Sequence, residues 1–177
     1  YWARVESAVT ALPGGVGEQG TAPGVGGGVG IAVLDKDTDG DGAIDRMTVA
    51  IVAAPVNGKR VDDGPGVLTY TNGGSAATAD SFTYTVADDL GAVSNTATVT
   101  IAVNQSPVAV DDPATAPMVG GAVAIAVLDN DTDADGTIDP TTVAIVAAPV
   151  NGTLVDDGAG GLTSTQDGSG APAGSFT

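Results

Sequence analysis

Cysteine and histidine are both absent from the 177 residues. Their absence removes disulfide staples, thiolate or imidazole metal sites and the usual catalytic bases together. Basic residues are nearly missing as well. Five Lys and Arg stand against 22 acids, a net charge of −17, which argues against nucleic acid as a partner because phosphates require Lys and Arg. Aromatic residues make up only 3% of the chain, few for a carbohydrate-binding module, which needs exposed rings on a flat face or groove. No stretch approaches the roughly 20 consecutive apolar residues of a membrane-spanning helix. The chain opens on Tyr1, with neither an initiating Met nor a signal peptide, so a piece of a longer protein is expected.

What is present is aspartate, glycine and repetition. Of the 22 acids, 20 are Asp and only Glu6 and Glu18 are Glu, and ten of the Asp fall in two short stretches. Helical proteins use Glu freely, whereas turns and ion-binding loops favour Asp. The first stretch runs from Asp35 to Asp45 and places Asp35, Asp37, Asp39, Asp41 and Asp45 within eleven residues. These carboxylates repel one another unless a cation sits among them, and the spacing D-x-D-x-D-G-x-x-D from Asp37 alternates oxygen ligands along a tight loop. Gly42 allows the turn, the Ala43 carbonyl is left free to coordinate, and Asp45 closes the set. It is not an EF-hand, because twelve places from Asp35 or Asp37 land on Arg46 or Thr48 rather than the bidentate Glu.

The second stretch repeats the first 94 positions later, with Asp129, Asp131, Asp133, Asp135, Thr137 and Asp139 as the corresponding ligands. It lies inside a longer near-copy. Residues 31–58 and 125–152 differ at five of 28 places: Lys36/Asn130, Gly40/Ala134, Ala43/Thr137, Arg46/Pro140 and Met47/Thr141. A solvated acidic surface needs no fixed spacing and no second copy, so the expected cofactor is Ca²⁺. With a dissociation constant of ~10⁻⁴ M, millimolar calcium would stabilise each domain by roughly 1.4 kcal/mol per site. Asp111 and Asp112, at the junction between the copies, are turn residues or further ligands.

A 94-residue period in 177 residues means nearly two domains. The expected divisions are residues 1–12, a strand-like segment; 13–104, a first β-sandwich repeat; and 105–177, a second, truncated one. Along the first repeat, residues 13–30 read as a linker running into a first strand. Strands are expected at 30–34, 47–53, 59–62, 67–71, 80–86 and 95–103, with Asn57-Gly58 and 63–66 as turns. Phe82, Tyr84 and Val86 alternate with polar residues and form an inward set, as do Val99, Ile101 and Val103. Nothing has a helical period, so the class is all-β. Paired acids such as Asp62/Asp63 and Asp156/Asp157 point to opposite faces of a strand and cannot flank one bond, so an enzyme is not expected.

The runs Pro107-Val108-Ala109-Val110-Asp111-Asp112, 127–133, Pro149-Val150-Asn151-Gly152 and 80–88 resemble the tandem Ig-like/cadherin-like repeats of giant bacterial surface proteins and adhesins. The resemblance implies secreted, calcium-rigidified rods of stacked β-sandwiches at the bacterial cell surface, with an adhesive tip, biofilm-matrix or filament role. It also places Tyr84 at the position of the corner tyrosine of immunoglobulin-type domains. The expected partners are further repeats of the same chain, or neighbouring copies in a head-to-tail polymer, with any glycan or cell-surface ligand bound elsewhere in the full protein. Two alternatives stand beside this: a self-assembling filament subunit completed by strand donation from a neighbouring chain, and a carbohydrate-binding module.

Overall fold

A computed structural model describes residues 10–117, 120–169 and 174–177. The chain divides into two compact units, Tyr1–Gln105 and Ser106–Thr177. The strand-like segment expected at 1–12, with Trp2, lies outside the described residues except for 10–12, which form no strand.

Among its described residues the first unit contains seven strands: β1 (Gln19–Pro23), β2 (Gly28–Ala32), β3 (Ile44–Ala53), β4 (Gly58–Gly64), β5 (Val67–Asn72), β6 (Ala79–Asp88) and β7 (Ala97–Asn104). They form two sheets, ordered β1-β7-β6-β3 and β2-β5-β4. All pairings are antiparallel except β1 with β7, which runs parallel from Gln19↔Thr100 to Pro23↔Asn104. The second, fourth and fifth strands in one sheet and the third, sixth and seventh in the other is the arrangement of immunoglobulin-type sandwiches.

Alternation decides which side chains meet between the sheets. In β6, Phe82, Tyr84 and Val86 are buried while the residues between them are only half-buried; in β7, Ala97, Val99, Ile101 and Val103 are buried and the intervening residues exposed. The facing sheet contributes Ile31, Leu68 and Tyr70, and the turn after β2 adds Val33 and Leu34. That turn closes where Val33 N–H donates to the Gly66 carbonyl at 3.0 Å. Gly66 has φ +74°, and a Cβ there would lie 2.7 Å from Leu34. Both the left-handed backbone and the contact therefore require glycine.

Several expected boundaries move. Residues 13–30 are not simply a linker, because β1 lies within them. Its Gln-Gly-Thr-Ala-Pro sequence carries almost no apolar period, and backbone pairing to β7 makes it a strand. The strand expected at 30–34 ends at Ala32. β3 begins at Ile44 rather than Met47, so Asp45 sits in a strand opposite Ala87 instead of closing a loop.

Among the described residues of the second unit there are three strands, β8 (Ala122–Ala126), β9 (Gly152–Asp156) and β10 (Gly161–Gln166), in the order β8-β10-β9. They occupy the positions of β2, β4 and β5, one sheet of the sandwich. A single 3₁₀ turn, Pro140–Thr142, stands where β3 would run. The turn glycine is repeated at Gly160, with φ +85° and a would-be Cβ 2.4 Å from Leu128.

Candidate functional site

The acidic loop of the first unit is tied down at its first half. Gly14 and Thr38 form an antiparallel bridge, with Gly14 N–H donating to the Thr38 carbonyl at 2.7 Å and Thr38 N–H returning to Gly14 at 3.2 Å. Val16 N–H donates to Asp37 Oδ1 at 2.6 Å. From the opposite side the fully buried Tyr84 aims its hydroxyl at the same carboxylate, 3.1 Å from Oδ1 and 2.9 Å from Oδ2. The Val16 carbonyl (3.1 Å) and the Val33 carbonyl also lie within hydrogen-bond reach and compete for its single proton. Burial, and then the Asp37 carboxylate, push the Tyr84 hydroxyl well above its ordinary pKa. Asp37 thus joins the N-terminal segment, the loop and the core.

The second unit reproduces the backbone half of this latch. Val108 and Thr132 form the same bridge, at 2.7 and 3.1 Å, and Val110 N–H donates to Asp131 Oδ1 at 2.8 Å. Even the flanking contact recurs in altered form. Lys36 pairs with the buried Glu18 at 2.7 Å and reaches the Gly17 carbonyl at 3.5 Å, whereas Asn130 donates to the Asp111 carbonyl at 3.1 Å. Asp112 stands opposite Glu18 in the repeat frame.

The remaining expected ligands are dispersed. Asp35 and Asp129 are exposed. Asp41 accepts the Ala11 N–H at 3.0 Å, and Asp45 caps its own strand start by accepting from Met47 N–H at 3.0 Å. The Ala43 carbonyl, expected to be free, accepts the Asp89 N–H at 2.9 Å. Asp133 accepts from Asp135 N–H at 3.2 Å, Asp135 and Thr137 are exposed, and Asp139 caps the 3₁₀ turn through the Thr141 hydroxyl and N–H. The Thr141 hydroxyl, followed by its N–H, holds the Asp139 carboxyl below the usual range. Among the described residues no three acidic side chains come together as a ready cage for a metal ion.

Asp39 is different. Both of its carboxylate oxygens are shut off from solvent and have no hydrogen-bond donor. A Cβ on Gly42 would lie 2.9 Å from Asp39 Oδ2 and 2.6 Å from Asp89 Oδ1, so the two carboxylates face the same point and only glycine leaves room there. Asp89 Oδ1 receives one donor, Ala43 N–H at 3.1 Å. A buried carboxylate with no partner is costly, and an all-oxygen pair of this kind suits a hard divalent cation. Asp89 lies outside both acidic loops. Fifty residues separate it from Asp39, so no linear spacing could join them.

A further pair, Tyr70 and Asp80, also escaped the sequence. The Tyr70 hydroxyl donates to Asp80 Oδ2 at 3.0 Å, and Asp80 accepts the N–H groups of Val56, Asn57 and Ser81 at 2.8–3.0 Å. Burial alone would raise the Asp80 pKa, but these backbone donors and the tyrosine together lower it, while burial and then Asp80 raise Tyr70 to about 12. In the second copy Ser164 and Gly174 replace both partners.

The acids weighed as catalytic pairs serve turns. Asp62 accepts Gly64 N–H at 3.1 Å, Asp63 accepts the Thr69 hydroxyl, and Asp156 and Asp157 accept N–H groups of Gly158, Ala159 and Gly161 at 2.7–3.0 Å. Of the six aromatic side chains, Tyr70, Phe82 and Tyr84 are buried in the core and so unavailable for stacking on a sugar. No helix among the described residues is long and apolar enough to cross a membrane.

Similar solved structures include the endo-fucoidan hydrolase MfFcnA4 from glycoside hydrolase family 107, at 17% identity over 93% of this chain and 26% of that one, TM-score 0.39. Another is the three-domain titin segment I67–I69, E-to-A variant, at 10% identity over 89% of this chain and 56% of that one, TM-score 0.37. The chain spans only about a quarter to a half of these proteins, and likenesses this distant say nothing about activity. No curated protein sequence matches. The model of the bacterial Ig domain family, whose members are typically non-catalytic and extracellular or surface-borne, matches residues 15–102 and again 104–177. Matched twice and over nearly its whole length, the chain belongs to the bacterial Ig domain family.

Proposed function

We propose that this chain is a structural segment of an extracellular bacterial adhesin, biofilm-matrix or surface-filament protein, and that calcium stiffens its acidic loops. The observation that carries the reading is the repetition of one latch. In both units a strand-like bridge and one aspartate, Asp37 or Asp131, bind the N-terminal segment to the acidic loop. Such a latch fixes how the chain enters each domain, which is what a spacer repeat needs and a catalytic site does not.

Calcium is supported by the donorless Asp39 carboxylate facing Asp89. Asp39 and Asp89 would hold the ion; Asp35, Asp41 and Asp45 would need to move to join them. When bound, the ion supplies positive charge to a chain of net charge −17. The test is thermal unfolding of the full chain in millimolar calcium and after chelation. Removing calcium should lower the midpoint of the first unit by roughly 5–10 °C per site lost. An unchanged midpoint would overturn the calcium part, while a chain no stiffer than a random coil in small-angle scattering would overturn the spacer part.

A further inference from the structure

The dipeptide Asn-Gly occurs three times, at 57–58, 72–73 and 151–152. In it an asparagine amide is most open to attack by the next residue's nitrogen, because glycine puts no Cβ in the way. Packing requires the glycine at two of these places. A Cβ on Gly58 would lie 2.4 Å from the Tyr70 ring, and one on Gly152 would lie 2.5 Å from the Thr165 carbonyl oxygen. In the folded chain the reaction then turns on where the glycine N–H points and how tightly the amide is enclosed.

The β4–β5 pairing brings two of the dipeptides together, with Gly58 opposite Asn72. Gly73 N–H donates to the Asn57 carbonyl at 2.9 Å, and Asn72 N–H turns the other way, to the Gly27 carbonyl at 3.1 Å. Hydrogen-bonded and non-hydrogen-bonded pairs alternate along antiparallel strands. Asn57 and Gly73 are a bonded pair, so Gly58 and Asn72 are an unbonded one, and the Gly58 N–H points away from β5. Because β4 is an edge in the order β2-β5-β4, that N–H faces the open margin of the sheet. The Gly73 nitrogen is instead held by its hydrogen bond. The amides differ in the same sense. Asn57 is half-buried and its Nδ2 reaches the Ala79 carbonyl only at 3.5 Å, whereas Asn72 is 2% exposed with its Nδ2 enclosed.

The second unit repeats the open arrangement. Asp167 N–H donates to the Asn151 carbonyl and Gln166 N–H turns to Gly121, both at 3.2 Å, while Gly152 lies opposite Gln166 and β9 is again an edge. Asp167 stands where Gly73 would, so the enclosed dipeptide has no copy there.

We infer that Asn57 and Asn151 are self-modifying positions, each converting to aspartate and isoaspartate through a succinimide, while the fold protects Asn72. At the first site the deprotonated Gly58 nitrogen attacks Asn57 Cγ. The N–Cγ bond forms, the Cγ–Nδ2 bond breaks, and the amide leaves as ammonia after taking a proton from water. Water then opens the ring at either carbonyl, so the net reaction consumes one water and needs no oxidant or cofactor. Both products carry a new carboxylate, and isoaspartate adds a carbon to the backbone. At 57 these changes fall beside Asp80, which accepts the Val56 and Asn57 N–H groups. They repel its charge and displace the carbonyl that Gly73 uses, loosening that end of the β4–β5 pair. None of this depends on calcium or on the spacer role.

The experiment incubates the full 177-residue chain, folded and in denaturant, in mildly alkaline buffer and follows each asparagine by peptide mapping. Trypsin isolates Asn57 in the peptide 47–59, and a second protease resolves Asn72 and Asn151. In the folded chain Asn57 and Asn151 should convert roughly 10-fold or more faster than Asn72, whose reaction waits for local opening. In denaturant the three rates should converge, because the dipeptide is the same. Conversion of Asn72 as fast as Asn57 in the folded chain would overturn the inference, as would folded Asn57 and Asn151 that stay intact while the denatured chain reacts. The modified form carries extra negative charge and separates by anion exchange. Hydrogen exchange at Gly73 should be faster in it; unchanged exchange would overturn the loosening of the strand pair.

Discussion

Residues 44–53 and 138–147 are identical at eight of ten positions, yet the first is a ten-residue strand and the second contains only a 3₁₀ turn. Two causes separate them. Pro140 replaces Arg46, removing an N–H and presetting the φ of a first helical turn that Asp139 caps. The larger cause is the partner. β3 exists by pairing with Tyr84, Thr85, Ala87 and Asp88 of β6, whereas among the described residues no strand pairs with 138–147. The same reasoning covers residues 113–117, which match β1 at Thr115, Ala116 and Pro117 but form no strand without a β7 to pair with. In the order β1-β7-β6-β3, the two central strands hold both edges. Remove the centre and the edges lose their form, while the opposite sheet, complete in itself, persists as β8-β10-β9. Strand propensity is therefore secondary here to the supply of a neighbour.

The comparison can be broken most forcefully in the core. Leu68 and Leu162 are equally buried, at 2% and 3% exposure, but Leu68 lies between two sheets and Leu162 borders an open cleft. Leu68→Ala should cost about 2–5 kcal/mol in chemical denaturation, whereas Leu162→Ala should cost clearly less because no closed cavity is created. Equal losses would mean that the second unit is as tightly packed as the first. Next in size is Tyr84→Phe, which strips the latch to its state in the second unit and should destabilise the first by about 1.5–3 kcal/mol. The turn glycines sharpen the comparison from the other side. Gly66→Ala and Gly160→Ala both place a Cβ against a leucine at positive φ, so each should cost about 1–3 kcal/mol in its own unit.

Alkaline titration separates the units without mutation. Tyr70 and Tyr84 hold their protons more tightly when folded, so the stability they contribute is intact below pH 10 and declines as pH rises towards 12. The second unit carries Ser164 in place of Tyr70 and should not follow this decline, as site-resolved hydrogen exchange would show. Asp80 works in the opposite sense: its lowered pKa gives stability present above the ordinary carboxylate range and lost as pH falls through it. The smallest effect belongs to Lys36→Asn, which copies the second unit's residue. Lys36 is half-exposed, so losing its pair with Glu18 should change stability by less than about 1 kcal/mol.

Much of the fold was legible. The alternation at 82–86 and 99–103 announced the inward faces, and Gly66 lay in the turn expected at 63–66. The candidate site was legible only in part. Periodic acids marked the loop, but the residues in it include a latch (Asp37, Asp131), a turn cap (Asp139), a strand cap (Asp45) and a carboxylate whose buried oxygens have no donor (Asp39). Spacing cannot tell these apart, because each role depends on which backbone N–H or distant side chain arrives beside the oxygen.

The sequence by itself determined the unit, since apolar alternation, turn residues and a 94-place repeat act locally and need no third dimension to be read. Only the tertiary structure decided that Tyr84 meets Asp37 across 47 residues, that Asp89 faces Asp39, and that β1 is a strand at all. Those outcomes are set by backbone pairing and burial between segments far apart in the chain, where one residue's conformation is fixed by what another supplies.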